Sequence, residues 1–203
     1  MRRVIAIAGS VGAGKSTLVE GLAARLASAT TIHFDHYERM TEQPIEEVRR
    51  WMLDGADVNR MPVPGLAEAL RELKGGHAVT DPLTGGAIPA AKWILFETQF
   101  GRRHAATGCH IDYLVWIDTP LDIALARKVR QFSGELDPRN REEVNAFAPW
   151  LTGYLDNYLE VVGGLLRVQR DTVGADADLV IDGALEPGEL MRRVEHAIQE
   201  RLA

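Results

Sequence analysis

Cysteine is nearly absent: Cys109 is the only one in 203 residues. A lone cysteine allows no internal disulfide and no cysteine-built metal cluster, and it points to a reducing compartment, the cytoplasm. Lysine is scarce too, with four in the chain, and the formal net charge is -6 with basic residues scattered along the sequence. A phosphate-backbone binder would gather its Lys and Arg on one face, so nucleic acid is not an expected partner. No uninterrupted apolar run is long enough to cross a bilayer, and no membrane partner is expected. The N-terminal MRRVIAIAG carries two arginines and an apolar stretch. That stretch is short, and it runs straight into a glycine loop where a signal peptide would carry its cleavage site. Internal repeats and low-complexity segments are missing as well. What is present is a 46% apolar, 26% charged composition, that of a globular protein with a real core.

Five short apolar runs read as buried parallel strands: VIAIA (4–8), TTIHF (30–34), WILF (93–96), YLVWI (113–117) and DLVI (178–181). They do not alternate apolar with polar, as befits strands covered on both faces. Between them lie helical patterns. Leu18, Leu22 and Leu26 recur every fourth residue, as do Leu190, Val194, Ile198 and Leu202. Thr119-Pro120-Leu121-Asp122 reads as an N-cap, a first-turn proline and a capping acid, opening a helix through about Phe132. Further helices are expected from Pro44 and Pro64, ending before Gly55 and Gly75. Strands alternating with helices make an α/β sheet with right-handed crossovers. Residues 1–203 are expected to form a single domain with two excursions. One spans 76–91, where TGG suggests a hairpin turn; the other, 133–143, is polar and turn-rich and reads as a lid region.

Residues Gly9-Ser10-Val11-Gly12-Ala13-Gly14-Lys15-Ser16 satisfy G-x-x-x-x-G-K-[ST] in full, with a strand before and an amphipathic helix after. The glycines let backbone N–H groups turn inward around phosphates. The helix N-terminus adds partial positive charge, and Lys15 a full one near the β- and γ-phosphates. Ser16 offers a hydroxyl to Mg²⁺, with Thr17 as a second hydroxyl in the loop. This loop is read as the binding site of a nucleoside triphosphate, ATP, with Mg²⁺.

The remaining strands end in acids: Asp35, Glu97, Asp118 and Asp182. In open α/β sheets the carboxyl ends of the strands face one ligand crevice. Asp118 either joins that crevice or starts the helix behind Thr119, and Asp182, before Gly183, reads as a turn residue. Asp35, in IHFDHYE, could take the proton of an acceptor hydroxyl as the γ-phosphate arrives; the bland alternative is a turn acid. Glu97 closes WILFE, an apolar run followed by an acid, and would act on Mg²⁺ directly or through water; its alternative is a helix-cap partner.

Together, the phosphate loop, Asp35-His36-Tyr37, the hairpin before WILFE and VWIDTPLDIALARKVRQF resemble the uridine kinase and phosphoribulokinase group of P-loop kinases. The resemblance follows the chain in order along nearly its whole length. It implies a three-layer P-loop fold with a five-stranded parallel sheet in the order 2-3-1-4-5. It implies a cytoplasmic phosphotransferase moving the ATP γ-phosphate to an alcohol on a nucleoside-like or other small metabolite. In that group an Asp after the second strand, followed by an aromatic, is the catalytic base, which Asp35 with Tyr37 matches. Glu97 matches the acid of the third strand, with Thr98 where the group has glycine. Arg127 and Arg130 stand where lid arginines grip the phosphates, with Gln131 in place of the usual Asp; Arg139 and Arg141 are further lid candidates. On the substrate side Asp57 and Arg60 fall in the segment that packs beside the nucleoside, with a surface role equally open. Arg102, Arg103 and His104 either meet an anionic group or start the next helix. A homodimer is admitted.

Two other classes share the loop. A nucleotide-dependent switch of the regulatory GTPase kind would carry an N/T-K-x-D base-reading motif, and the chain has none. A P-loop ATPase coupled to a partner, with no small-molecule acceptor, is the other alternative.

Overall fold

The run at 4–8 becomes the central strand. The computed structural model describes residues 1–202, with Thr41 and Ile45 described in backbone only. In chain order the strands are β1 (Arg3–Gly9), β2 (Ala29–His33), β3 (Val79–Thr80), β4 (Ala87–Ile88), β5 (Trp93–Glu97), β6 (Tyr113–Asp118) and β7 (Leu179–Asp182). The helices are α1 (Lys15–Arg25), α2 (Ile45–Leu53), α3 (Leu66–Gly75), α4 (Ala105–Gly108), α5 (Leu121–Glu135), α6 (Arg141–Asn157), α7 (Gly163–Val173) and α8 (Pro187–Leu202). Five strands pair in the order β2-β5-β1-β6-β7, all parallel. Counting only the strands of this sheet along the chain, that is 2-3-1-4-5, the expected order. β3 and β4 form a separate antiparallel pair.

The period of two along each strand sorts side chains onto two faces. From β1, Val4, Ala6 and Ala8 enter a core with Leu66, Leu70 and Leu73 of α3. Ile5 and Ile7 enter the opposite core with Leu18 and Leu22 of α1 and Val194 and Ile198 of α8. The sheet is thus the middle of three layers, which is why its strands read as unbroken apolar runs. None of the helices in the described residues is long and apolar enough to cross a membrane.

Local readings differ from the structure at Thr119 and in the 133–143 region. Thr119 does not cap α5: Pro120 occupies the N-cap position without a side-chain cap. The Thr119 hydroxyl instead donates to the Ala13 carbonyl at 3.3 Å, tying β6 to the phosphate loop. α5 also runs past Phe132 to Glu135, so helix covers the start of the expected lid region, and α6 already covers its end from Arg141. Between α6 and α7 the helix loosens into a π turn at Tyr158–Val162. In the 76–91 excursion the hairpin is present but short, and Asp81 shapes its turn. The Asp81 Oδ1 accepts both Leu83 N–H and Thr84 N–H at 2.9 Å.

Candidate functional site

The loop between β1 and α1 is held in shape by one carbonyl. Ser10 O accepts the Ala13 N–H at 3.0 Å and the Lys15 ammonium at 3.2 Å. Gly12, at φ +81°, lies so close to α5 that a Cβ there would sit 2.1 Å from the Ala124 carbonyl oxygen. Gly14, at φ +95°, is the N-cap of α1. Residues Val11 to Thr17 line a cleft of about 730 Å³, while Gly9 and Ser10 are buried behind it. Burial pushes the Lys15 ammonium below its ordinary value, and the carboxylates of Glu97 and Asp35 pull it back up.

Register then delivers the carboxylates. His33 of β2 lies opposite Glu97 of β5, and its Nδ1 is 2.7 Å from Glu97 Oε2. The other carboxylate oxygen accepts from the Ser16 hydroxyl at 2.8 Å. Burial works to raise the Glu97 pKa, but the bonds from His33 and Ser16 and the Lys15 charge outweigh it, and the carboxyl lies below its usual range. The hydrogen bond to Glu97 raises His33 against the opposing effect of burial. Ser16 and Glu97 are hard oxygen donors side by side at the phosphate cleft, a set that suits Mg²⁺. Among the described residues no cluster of three or more acidic, His or Cys side chains could cage a metal.

Asp35 leaves the sheet on a single 3-10 turn, Phe34–His36. It is exposed, and it makes no hydrogen bond or ion pair among the described residues. Its neighbours are pinned on both sides. His33 is held by Glu97, and the His36 Nδ1 lies 2.6 Å from Asp81 Oδ2 in the β3–β4 hairpin. The two imidazoles stack with centroids 4.9 Å apart. Burial acts to raise the Asp81 pKa, but the bonds from His36, Thr84 and Leu83 bring it down to about 2.

A second cavity of about 600 Å³, mostly apolar, lies beside the first. Phe34, Trp51, Met61 and Phe100 line it, with Leu165 and Leu166 of α7 as its far wall. The two cavities share three lining residues: Val11, Asp35 and Gln99. Arg127 and Arg130 line the phosphate cleft from α5, and the Arg127 Nη1 donates to the Gly183 carbonyl at 3.0 Å.

Other expected positions lie elsewhere. Tyr37 is 4% exposed and belongs to the core, its hydroxyl buried without a partner among the described residues. The Tyr37 ring packs in the core that holds Leu66, Leu70 and Leu73 of α3, whereas Phe34 lines the second cavity. Arg102 lines neither cavity: its guanidinium donates to Asp178 Oδ2 at 2.5 Å and the Asp176 carbonyl at 2.8 Å, fixing the chain before β7. His104 is 3% exposed, bonded to the Thr107 hydroxyl at 2.8 Å and packed edge-on to Phe34. Burial lowers its pKa, so it is an uncharged support for Phe34 and no partner for an anion. Arg60 is exposed and lines neither cavity, whereas Asp57 and Arg103 line the second. Arg139 pairs with Asp137, and Asp118 is held by Arg170 at 2.7 Å. Asp182 accepts the Ala184 N–H, as a turn residue does. Sequence reading missed His33, Asp81, Gln99, Trp51 and Gln169. His33 carried a signal, closing β2 two residues before Asp35, but its partner is visible only once β2 and β5 are known to be adjacent.

No protein-family model and no curated protein sequence matches the chain. Solved structures do. A possible uridine kinase from Bacillus stearothermophilus superposes with a TM-score of 0.58 at 17% identity, over 89% of each chain. A sugar kinase from Janibacter sp. HTCC2649 superposes with a TM-score of 0.51 at 14% identity, over 98% of this chain and 95% of that one. At such identities the likeness establishes a shared fold, the three-layer α/β architecture with the P-loop NTPase topology.

Proposed function

We propose that the protein is an ATP-dependent kinase that transfers the γ-phosphate to an alcohol of a small molecule. The observation that carries this reading is the meeting of two cavities at an unpartnered carboxylate. A pure ATPase needs only the phosphate cleft. Here a second chamber opens beside it, and Asp35 stands on the boundary. ATP in the cleft would lay its phosphates along the backbone of residues 11–17, with Lys15 at the transferring group. Ser16 and Glu97 are the residues that would hold Mg²⁺, which, when bound, neutralises charge on the β- and γ-phosphates. An acceptor in the second cavity presents its hydroxyl at the boundary. As its oxygen bonds to the γ-phosphorus and the bond to the β-phosphate oxygen breaks, the hydroxyl proton passes to Asp35 and ADP leaves. Arg127 and Arg130 stand on the α5 side, where they can meet the charge that spreads over the γ-oxygens.

The test is an acceptor screen that follows ADP release. ADP release without an acceptor should be slow, because the site excludes water only when the second cavity is filled. Fast ADP release that no acceptor changes would instead favour an ATPase.

A further inference from the structure

The acceptor cavity carries a sign of charge. Its lining holds three carboxylates, Asp35, Glu38 and Asp57, against one guanidinium, Arg103, and no lysine or histidine among the described residues. Asp35 stands at the boundary with the phosphate cleft, where the transferred hydroxyl belongs, whereas Glu38 and Asp57 line the second cavity alone. Both of these acids accept backbone N–H groups, Glu38 from Met40 and Asp57 from Asn59. Such bonds fix a carboxylate in place and leave its charge intact. Arg103 makes no ion pair among the described residues, so it cancels none of the three.

Asp57 is held from several sides. Its Oδ1 accepts the Asn59 backbone and side-chain N–H groups at 3.0 and 3.3 Å, and Asn59 Oδ1 in turn accepts the Ala105 N–H at 2.8 Å. Its carbonyl accepts the Trp51 indole N–H at 2.9 Å. Capping the turn Val58–Arg60 uses Oδ1; Oδ2 makes no hydrogen bond or ion pair among the described residues. The same bonds tie a carboxylate and an indole ring to one stretch of wall. Phe34 and Phe100, edge-on to each other with centroids 5.2 Å apart, line the same cavity. A fixed carboxylate beside aromatic faces suits an organic ammonium, which gains an ion pair from one and cation–π attraction from the other.

We propose that the acceptor is a cationic alcohol, an amine or quaternary ammonium on a flat apolar body, with its hydroxyl at Asp35 and its charge against Asp57 and Trp51. An anionic acceptor such as a phosphosugar would meet three carboxylates with Arg103 alone in its favour. The phosphates of a nucleotide in the adjoining cleft act in the same direction, repelling an anion and attracting a cation. A cavity of about 600 Å³ lies in the ordinary range for sites that enclose small organic ligands. A protonated or quaternary nitrogen has no lone pair to attack phosphorus, so transfer goes to oxygen. The alcohol oxygen bonds to the γ-phosphorus, the bond to the β-phosphate oxygen breaks, and the hydroxyl proton passes to Asp35. The product is a phosphate monoester that keeps its ammonium. This inference rests on the transfer reading for its chemistry, but it concerns binding and is tested separately.

Three matched probes differ in charge: 4-(aminomethyl)benzyl alcohol, 4-ethylbenzyl alcohol and 4-(hydroxymethyl)benzoate. Uridine is the neutral polyhydroxylated control. Binding is measured by calorimetry near neutral pH, with and without a non-hydrolysable ATP analogue, and transfer by ADP release. The amine should bind about tenfold more tightly than its neutral isostere, and more tightly than the benzoate or uridine, whether or not nucleotide is present. Added salt should weaken the amine's binding and leave that of 4-ethylbenzyl alcohol unchanged. Asp57→Asn retains the oxygen that caps the turn. In that variant the amine's advantage should shrink to about threefold or less, while 4-ethylbenzyl alcohol binds as before. If the ethyl alcohol, the benzoate or uridine binds as tightly as the amine, the cationic class is wrong, and ADP release driven by any of them still upholds transfer. If the amine is preferred but no alcohol raises ADP release, the transfer reading fails and the cation site stands. A preference that needs nucleotide, or that Asp57→Asn keeps in full, would assign the charge to other groups and overturn the inference, as would binding of none of the probes.

Discussion

Asp35 and Glu97 are both carboxylates at strand ends, yet the protein treats them differently. Glu97 is fastened by Ser16 at 2.8 Å and His33 at 2.7 Å, and it lines only the phosphate cleft; Asp35 is unfastened and lines both cavities. Substitutions should separate their roles. Asp35→Asn keeps the shape but cannot take a proton, so transfer should slow by about 10²–10⁴-fold with the magnesium requirement unchanged. Glu97→Gln should raise the magnesium concentration for half-maximal activity. A magnesium titration of both variants decides the matter, and the opposite pattern would reverse the two roles. His33 adds a pH dependence. Its pKa is raised above 6.5, so its protonated form stabilises the fold fully below that pH, and the contribution is lost as pH rises through the raised value. Glu97, lowered from 4.5, loses its share only as pH falls through its depressed value. The stability gap between wild type and His33→Gln should therefore be larger at pH 6 than at pH 9 in denaturant titrations; an equal gap at both would show that charge on His33 does not matter. At this scale the sequence is legible where chemistry is local. The loop from Gly9 to Thr17 and the acids Asp35 and Glu97 are recognisable from neighbours in the chain. Tyr37, Arg102 and His104 misled because composition says nothing about which way a side chain turns: one ring goes to the core, one guanidinium to Asp178 and one imidazole beneath Phe34.

Among the elements, the one-turn helix Phe34–His36 depends most on its surroundings. A single 3-10 turn has little stability of its own, so Asp35 owes its place to the anchors on either side. Asp81, with a side chain 8% exposed, is the anchor at His36. Asp81→Asn exchanges a charged acceptor for a neutral one and should cost about 1–3 kcal/mol. It should also lower the transfer rate while ATP binding holds, because no residue of the hairpin lines the phosphate cleft. A transfer rate that survives the loss of stability would make the hairpin a brace for the fold alone. α5 makes a comparable case. Arg127 and Arg130, one turn apart, both line the phosphate cleft. Replacing either with Ala should reduce the single-turnover rate more than ATP affinity, as expected for charges that meet the transition state. An unchanged rate in both variants would leave them as surface groups. The limits of α5 show why elements were only partly legible. Ser133 and Gly134 look like breakers, but helix continues through them to Glu135, and the expected Thr119 cap was taken up by a bond to the phosphate loop. Local propensity yields here to tertiary contact.

Across the whole molecule, the sheet order brings distant segments to one edge. β1 sits centrally with β5 on one side and β6 on the other, so the phosphate loop, Glu97 and the start of α5 converge although they are far apart in the chain. The alternation of strands and helices implied a parallel α/β sheet, and the family resemblance implied this strand order. Neither implied the second cavity, because its walls come from α2, the chain before α4, and α7, and no spacing rule links Trp51 to Leu166. The same layout makes the phosphate cleft a place where ligand binding reports on the entire fold. Anything that binds the folded chain and not the unfolded one stabilises it by mass action, by about 2.7 kcal/mol at a ligand concentration 100 times Kd. For a chain of this size each kcal/mol moves the melting temperature by about 2–4 °C, so saturating Mg-ATP should raise it by roughly 5–10 °C. Lys15→Ala removes the cation held at the Ser10 carbonyl, and that variant should lose most of the shift and about two to three orders of magnitude in turnover. Asp35→Asn should keep the shift in full, since it touches the acceptor step and not the nucleotide. Thermal melts of the three proteins with and without Mg-ATP make the comparison. A full shift in Lys15→Ala would mean that the nucleotide is held elsewhere, and the loop between β1 and α1 would lose its assigned role.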